Sequence, residues 1–279
     1  MCNGDLTLAI DPPMRSIAPF DISDLECEAL LKLFREATFH IQDIRIEMVT
    51  DGRRHPAQEA HPAATLGLAV QKPTIRFARS LDRGQRIDAI AHELVHILLV
   101  YRYGLRMIDR RTPRLISNQD IFDYFLNLNR HWKYFLEQIV NTIHHQILID
   151  YLKGQYGIES DLQLALFLHN FRVVSKRHYP DKESQYAKGL VAFEYEKRMG
   201  RIEQALNLNR QSDFFWKAYL SAQKSFGAYD IRRIPSAAAY EEDVLTFLED
   251  LGYQRRDFIF LPLRGIDTPS TEKGLKENV

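Results

Sequence analysis

The sequence predicts an α+β protein: a small, mainly antiparallel sheet packed on a buried helix, followed by a large helical portion. Three observations carry this. Before residue 80, apolar residues alternate with polar ones at Ile44, Ile46 and Met48, again at Leu66, Leu68 and Val70, and at Ile75 and Phe77. Alternation of period two is the mark of a half-buried strand. After Asp82, the residues Ile87, Ile90, Ala91, Leu94, Val95, Ile97, Leu98 and Leu99 cover nearly the whole circumference of a helix. A helix apolar all round is a buried central one. Beyond residue 118 helical periodicity dominates to about residue 251.

Each element has its own signal. Ser23-Asp24-Leu25-Glu26 matches a capping box and predicts a helix to about Thr38. Residues 51–64, with Gly52, Pro56 and Pro62, read as a loop. The strands at 66–70 and 75–77 are close enough to pair with each other. Asp82 and Gln85 cap the buried helix, and Gly104 ends it. Helices follow near 119–128, 132–153, 161–176, 182–199, 212–226 and 237–251. Ser160 with Gln163 supports one start, and Ser212 and Ser236 support two more. Residues 257–261 return as a strand, and 268–279 read as a disordered tail.

Bulk properties exclude several classes. The 279 residues are enough for one large domain or two modest ones. Lys+Arg and Asp+Glu both number 37, so net charge favours no polyanionic partner. The stretch 101–133 is locally basic, with seven Arg/Lys against three Asp. Such runs are ordinarily a solvated face, and nucleic-acid binding is not expected. Apolar runs such as 97–101 are far too short to span a bilayer, so no membrane association is expected. Residues 1–13 carry no secretory pattern, and two cysteines, Cys2 and Cys27, make no disulfide framework. A cytoplasmic protein is the expectation; the oligomeric state is not legible.

The chemistry lies in His92-Glu93-Leu94-Val95-His96. Histidines four apart leave one helix face about one turn apart, which suits two ligands of a tetrahedral Zn2+ with room for water. Glu93, at the edge of that face, can take a proton from the zinc-bound water. By average residue usage, chance supplies this pattern in roughly 1 in 100 chains of this length. Chance does not also place it on an apolar helix, where unpartnered polar groups are costly.

Here the chain resembles the zincin metallopeptidases, whose motif is His-Glu-x-x-His. The metzincin branch would continue with Gly at 99 and His at 102; Leu99 and Arg102 exclude it. The gluzincin branch draws its third ligand from a Glu on a later helix, often with an acid four residues on. Phe135-Leu136-Glu137-Gln138-Ile139-Val140-Asn141 offers Glu137 and Asn141 at that spacing. Asn141 departs from the acid, though it can still accept a hydrogen bond from a ligand histidine. The chain is also similar to ImmA/IrrE-type intracellular metallopeptidases, which cleave repressor-like partners. The resemblance covers roughly residues 65–150.

It implies a metal site of His92, His96 and Glu137, with Glu93 as the catalytic base. His144 and His145, seven and eight residues after Glu137, are rivals for the third ligand, or else supporting or transition-state groups. Asp88, one turn before His92, can orient its ring. Tyr101, Tyr103, Tyr124, His131 and Tyr134 can stabilise an oxyanion, and His55 and His61 read as solvated loop residues. The implied organisation is a zincin-like domain over 1–155, a helical portion over 156–265 and the tail over 266–279. The implied function is an intracellular metalloendopeptidase acting on a protein or peptide substrate, paired to a sheet edge near residues 66–79. Two alternatives stay open: a non-catalytic partner-binding protein with a structural or vestigial zinc site, and a zinc hydrolase of non-peptide amides.

Overall fold

The computed structural model describes residues 17–41, 43–49, 63–66, 73–110, 129–200 and 211–263. The expected helix near 119–128, the strand residues Leu68 and Val70, most of the loop 51–64 and the tail lie outside the described residues.

Strand β1 (Ile17–Pro19) precedes helix α1 (Glu28–His40), β2 (Arg45–Val49), β3 (Ala63–Leu66) and β4 (Thr74–Ala78). Helix α2 (Arg83–Tyr101) carries the His-Glu-x-x-His motif and leads to β5 (Ile108–Arg110). Five helices follow: α3 (Asn129–Tyr151), α4 (Asp161–Lys176), α5 (Lys182–Met199), α6 (Asp213–Phe226) and α7 (Ala237–Asp250). The last strand, β6 (Phe258–Phe260), pairs antiparallel with β5.

The larger sheet has the order β1-β2-β4-β3 and is mixed. β1 and β3 pair antiparallel with β2 and β4, but the central pair β2–β4 is parallel. With β5–β6 counted, three of the four strand pairs among the described residues are antiparallel, and the parallel central pair is the exception. The long connection between β2 and β4 lets the chain cross over, and β3 is laid down outside β4 as an edge strand. β3 and β4 both lie against α2. One correction concerns the start of α1. Asp21, rather than Ser23, caps a single 3-10 turn over Ile22–Leu25, accepting from the Ser23 amide at 2.9 Å. Glu26 then turns the chain left-handed at φ 47°, and α1 begins only at Glu28.

Helix α2 is built as its sequence requires. Its capping box is complete: the Gln85 amide donates to Asp82 Oδ1 at 2.8 Å, and the Asp82 amide to Gln85 Oε1 at 3.1 Å. Every residue from Asp88 to Tyr101 is buried. Each large aliphatic side chain so removed from water contributes roughly 1.5–3 kcal/mol, so the polar members of the motif sit on a strongly held helix. The core continues without a break from Ile22 to Phe258, with the C-terminal helices included. Two glycines permit this closeness. A Cβ on Gly189 of α5 would stand 2.4 Å from the Phe215 carbonyl of α6. Gly104, at φ +74°, has a Cβ position 2.7 Å from Ala237 Cβ, which presses the turn after α2 against the start of α7. The Tyr240 hydroxyl fastens that turn by donating to the Arg106 carbonyl at 2.7 Å.

The C-terminal helices are also tied to α2 through Asp88. Its Oδ2 accepts from the backbone amides of Leu162 at 2.8 Å and Gln163 at 3.4 Å, so it caps α4 from another helix. The expected box between Ser160 and Gln163 does not form, because Ser160 makes no capping bond with its side chain. Nor does Asp88 orient His92; its carboxylate is committed to α4. Burial raises the Asp88 carboxyl to about 6, against the pull of the two amides. The folded protein therefore holds a proton that the unfolded chain releases near 3.8, and stability falls as pH rises from 3.8 to about 6. Asp88→Ala should lose the cap, about 1 kcal/mol in urea unfolding. Asp88→Asn should keep it and abolish the fall between those pH values; an unchanged slope would exclude Asp88 as its source.

Candidate metal centre

His92 and His96 leave α2 on one face, with ring centroids 4.7 Å apart and their Nε2 atoms 3.0 Å apart. Helix α3 crosses α2 at His144 and His145, closing a group of four imidazoles. The His145 ring lies 5.0 Å from that of His92 and 5.2 Å from that of His96. His92, His96 and His145 each offer one nitrogen within 4.8 Å of the others, and this group can hold a metal ion.

The donor set fits such an ion. With metal–nitrogen bonds of about 2.0–2.1 Å, two tetrahedral ligands stand about 3.3 Å apart, close to the separation of the two Nε2 atoms. Imidazole binds metal only in its neutral form. Burial, helped by the neighbouring rings of His92, His144 and His145, holds His96 far below the ordinary imidazole range. Glu93 is buried beside the group, at 9% exposure.

His145 is held from behind. Its Nδ1 lies 2.9 Å from Glu194 Oε1 of α5, and a carboxylate can only accept, so Nδ1 carries the hydrogen. Nε2 is left as the ring's lone-pair donor. Glu194 is almost wholly buried, at 1% exposure, and Arg198, one turn on, compensates its charge at 2.9 Å. Arg198 also donates to the His145 carbonyl at 3.2 Å and packs over the Phe167 ring. A carboxylate–histidine–metal arrangement fixes both ring orientation and tautomer.

His144 is fully buried and turned away from this group. Its Nδ1 faces His96 Nδ1 at 2.9 Å, and its Nε2 faces the Leu105 carbonyl at 3.1 Å. Burial pushes its pKa down to about 3, so the ring is neutral.

The expected third ligand, Glu137, lies outside this group. It lies eight residues, or about 12 Å of helix rise, before His145, and its carboxylate pairs with Lys133 at 3.8 Å. At 145 a side chain of α3 meets the motif histidines, and Glu137 stands two turns earlier. Asn141 stands half-buried one turn before His145. The support expected of it, a bond to the outer nitrogen of a ligand ring, comes from Glu194 at His145 and from His144 at His96. Among the oxyanion candidates, Tyr103 belongs with the Arg102 side chain, 5.1 Å from its ring, and His131 pairs with Asp181 at 3.2 Å. Tyr134 stands farther from the histidine group along α3 than Glu137, eleven residues before His145. It lies near Glu194, and burial raises its hydroxyl to about 12, leaving it a hydrogen-bond donor. Tyr124, His55 and His61 lie outside the described residues.

Sequence reasoning missed Glu194 and Arg198. A signal existed: Gly189-Leu190-Val191-Ala192-Phe193-Glu194 places a carboxylate inside an apolar helical run, with its counter-ion four residues on.

Comparison of the chain with protein-family models, with curated proteins and with solved structures finds no match. Among the described residues, no helix is long and apolar enough to cross a membrane.

One divalent ion per chain is expected from elemental analysis after zinc loading and desalting. His92→Ala, His96→Ala and His145→Ala should each retain at least about tenfold less, as a three-ligand site requires. Glu137→Ala should retain all of it, and loss of the ion in that variant would restore Glu137 to the ligand set.

Proposed function

We propose that this chain is an intracellular zinc metalloendopeptidase of zincin type, with His92, His96 and His145 as ligands and Glu93 as the catalytic base. One observation carries the reading. Two imidazoles of a buried helix and a third from the helix that crosses it form one group, beside a buried carboxylate one residue from His92. Three protein ligands are the pattern of catalytic zinc, whereas structural zinc takes four. The fourth imidazole, His144, is spent on His96 and Leu105, and Glu137 on Lys133, so neither fills a closed structural shell.

Zinc bound there supplies Lewis acidity, lowering the pKa of water and polarising a carbonyl. The remaining work belongs to the chain. Glu93 accepts the proton of the attacking water and returns it to the departing amine. Glu194 holds His145 in register and α2 holds His92, Glu93 and His96 at fixed spacing. The low exposure of these residues limits competing water, which strengthens every charge interaction among them. β3 is the edge of the sheet and lies against α2. It offers main-chain hydrogen bonds to an extended peptide beside the motif.

The test is an unbiased peptide-library digest with the zinc-loaded chain. Cleavage at internal bonds is expected, and Glu93→Gln should keep the ion while the rate falls about 10²–10⁴-fold, the usual contribution of a general base. A loaded chain that cuts no peptide would end the peptidase reading. Retention of the full rate by Glu93→Gln would remove that residue from the mechanism.

A further inference from the structure

We infer that His144 is a positioning residue, which locks His96 into the Nδ1–H tautomer by handing a hydrogen-bond chain on to the Leu105 carbonyl. The inference uses the ligand assignment of His96 proposed above, but its first test does not depend on it.

The argument is one of hydrogen accounting. A backbone carbonyl only accepts, so at 3.1 Å from Leu105 oxygen the His144 Nε2 must carry hydrogen. A neutral imidazole has one N–H, and full burial keeps this ring neutral. Nδ1 of His144 is then a bare acceptor. Its neighbour at 2.9 Å, His96 Nδ1, must supply the hydrogen. That leaves His96 Nε2 with a lone pair, pointing to the same place as His92 Nε2. The opposite assignment would set two lone pairs against each other between His144 and Leu105, around a fully buried ring.

The chain ends on a carbonyl that is itself held. Leu105 lies in the turn after α2, where its amide donates to the Leu99 carbonyl at 2.9 Å. The next residue, Arg106, is fastened by Tyr240 and pairs with Glu241, both on α7. The C-terminal helices therefore reach the metal centre by two routes: Glu194 to His145, and α7 through Leu105 and His144 to His96. His144 thus has a role that its sequence neighbour His145 does not share, although they differ by one residue.

Two measurements on the full-length chain test this. In 15N-labelled, metal-free protein, long-range proton–nitrogen spectra of the imidazoles should show His96 as the Nδ1–H tautomer and His144 as the Nε2–H tautomer. Either ring in the other form overturns the proposal, whatever the protein's activity. Zinc affinity, by chelator competition, should fall about 10–100-fold in His144→Leu, which fills the space without an acceptor. His144→Asn, with an amide oxygen near the lost Nδ1, should recover most of it. Unchanged affinity in His144→Leu, or equal loss in both variants, would reduce His144 to packing and sink the idea. Should His144→Leu fail to fold, the wild-type tautomers still decide. Failure of the peptidase reading, with the tautomers as stated, would leave this inference standing.

Discussion

Four imidazoles stand between α2 and α3, three of them buried, and much else in the structure follows from keeping them there. Burying a polar ring costs several kcal/mol unless its nitrogens find partners. His96 and His144 use each other, and the pair ends on the Leu105 carbonyl. His145 uses Glu194, which would be more costly still as a lone buried charge and is compensated by Arg198. Each partner creates a further demand. The Leu105 carbonyl must be aimed inward, so the turn at Gly104 adopts a left-handed backbone and presses on α7. Glu194 must reach α3, so α5 runs alongside it. The buried polar centre thus prescribes the packing of helices that supply no ligand.

This gives the C-terminal helices a physical reason to be present. They share one continuous core with α2. Asp88 shows the same division of labour from the other direction. A carboxylate on the metal helix caps α4, so α2 both receives support from the later helices and organises one of their ends. Stability and site geometry are consequently coupled: a change that loosens α5 or α7 acts on His145 or His96 before it reaches the solvent. This coupling rests on hydrogen bonds and packing already formed, and needs no conformational change.

The elements with strong local codes were legible in the sequence. The helices at 161–176 and 182–199 have the predicted bounds, and the complete Asp82–Gln85 box places α2. The motif histidines and the buried character of their helix were legible too, since helical spacing and apolar circumference are local properties. What failed was non-local. The parallel β2–β4 pairing depends on how a long connection crosses the sheet, and no residue within the strands records it. Ser160 looked like a cap but was displaced by Asp88, 72 residues earlier, because a buried carboxylate from a fixed helix outcompetes a hydroxyl. The third member of the histidine group was hidden for the same reason. Glu137, His144 and His145 share a helix, and only the point at which α3 crosses α2 selects among them. Glu194 could not be connected to His145 by any spacing rule.

On the proposed ligand set, His145 in place of Glu137 changes the electrostatics of the centre. With a ligand carboxylate, a divalent ion would keep a net charge of +1 inside its first shell; three neutral imidazoles leave it at +2. The missing negative charge is present one hydrogen bond farther out, on Glu194, and Arg198 takes most of its field. Glu93 is then the carboxylate of the motif left to face the ion. On the proposal above, an ion held by three neutral imidazoles would acidify water more strongly, and Glu93 would take the released proton and return it to the leaving amine. α2 carries His92, Glu93 and His96 and α3 carries His145, so the placing of such an ion relative to Glu93 depends on both helices and on Glu194 behind His145.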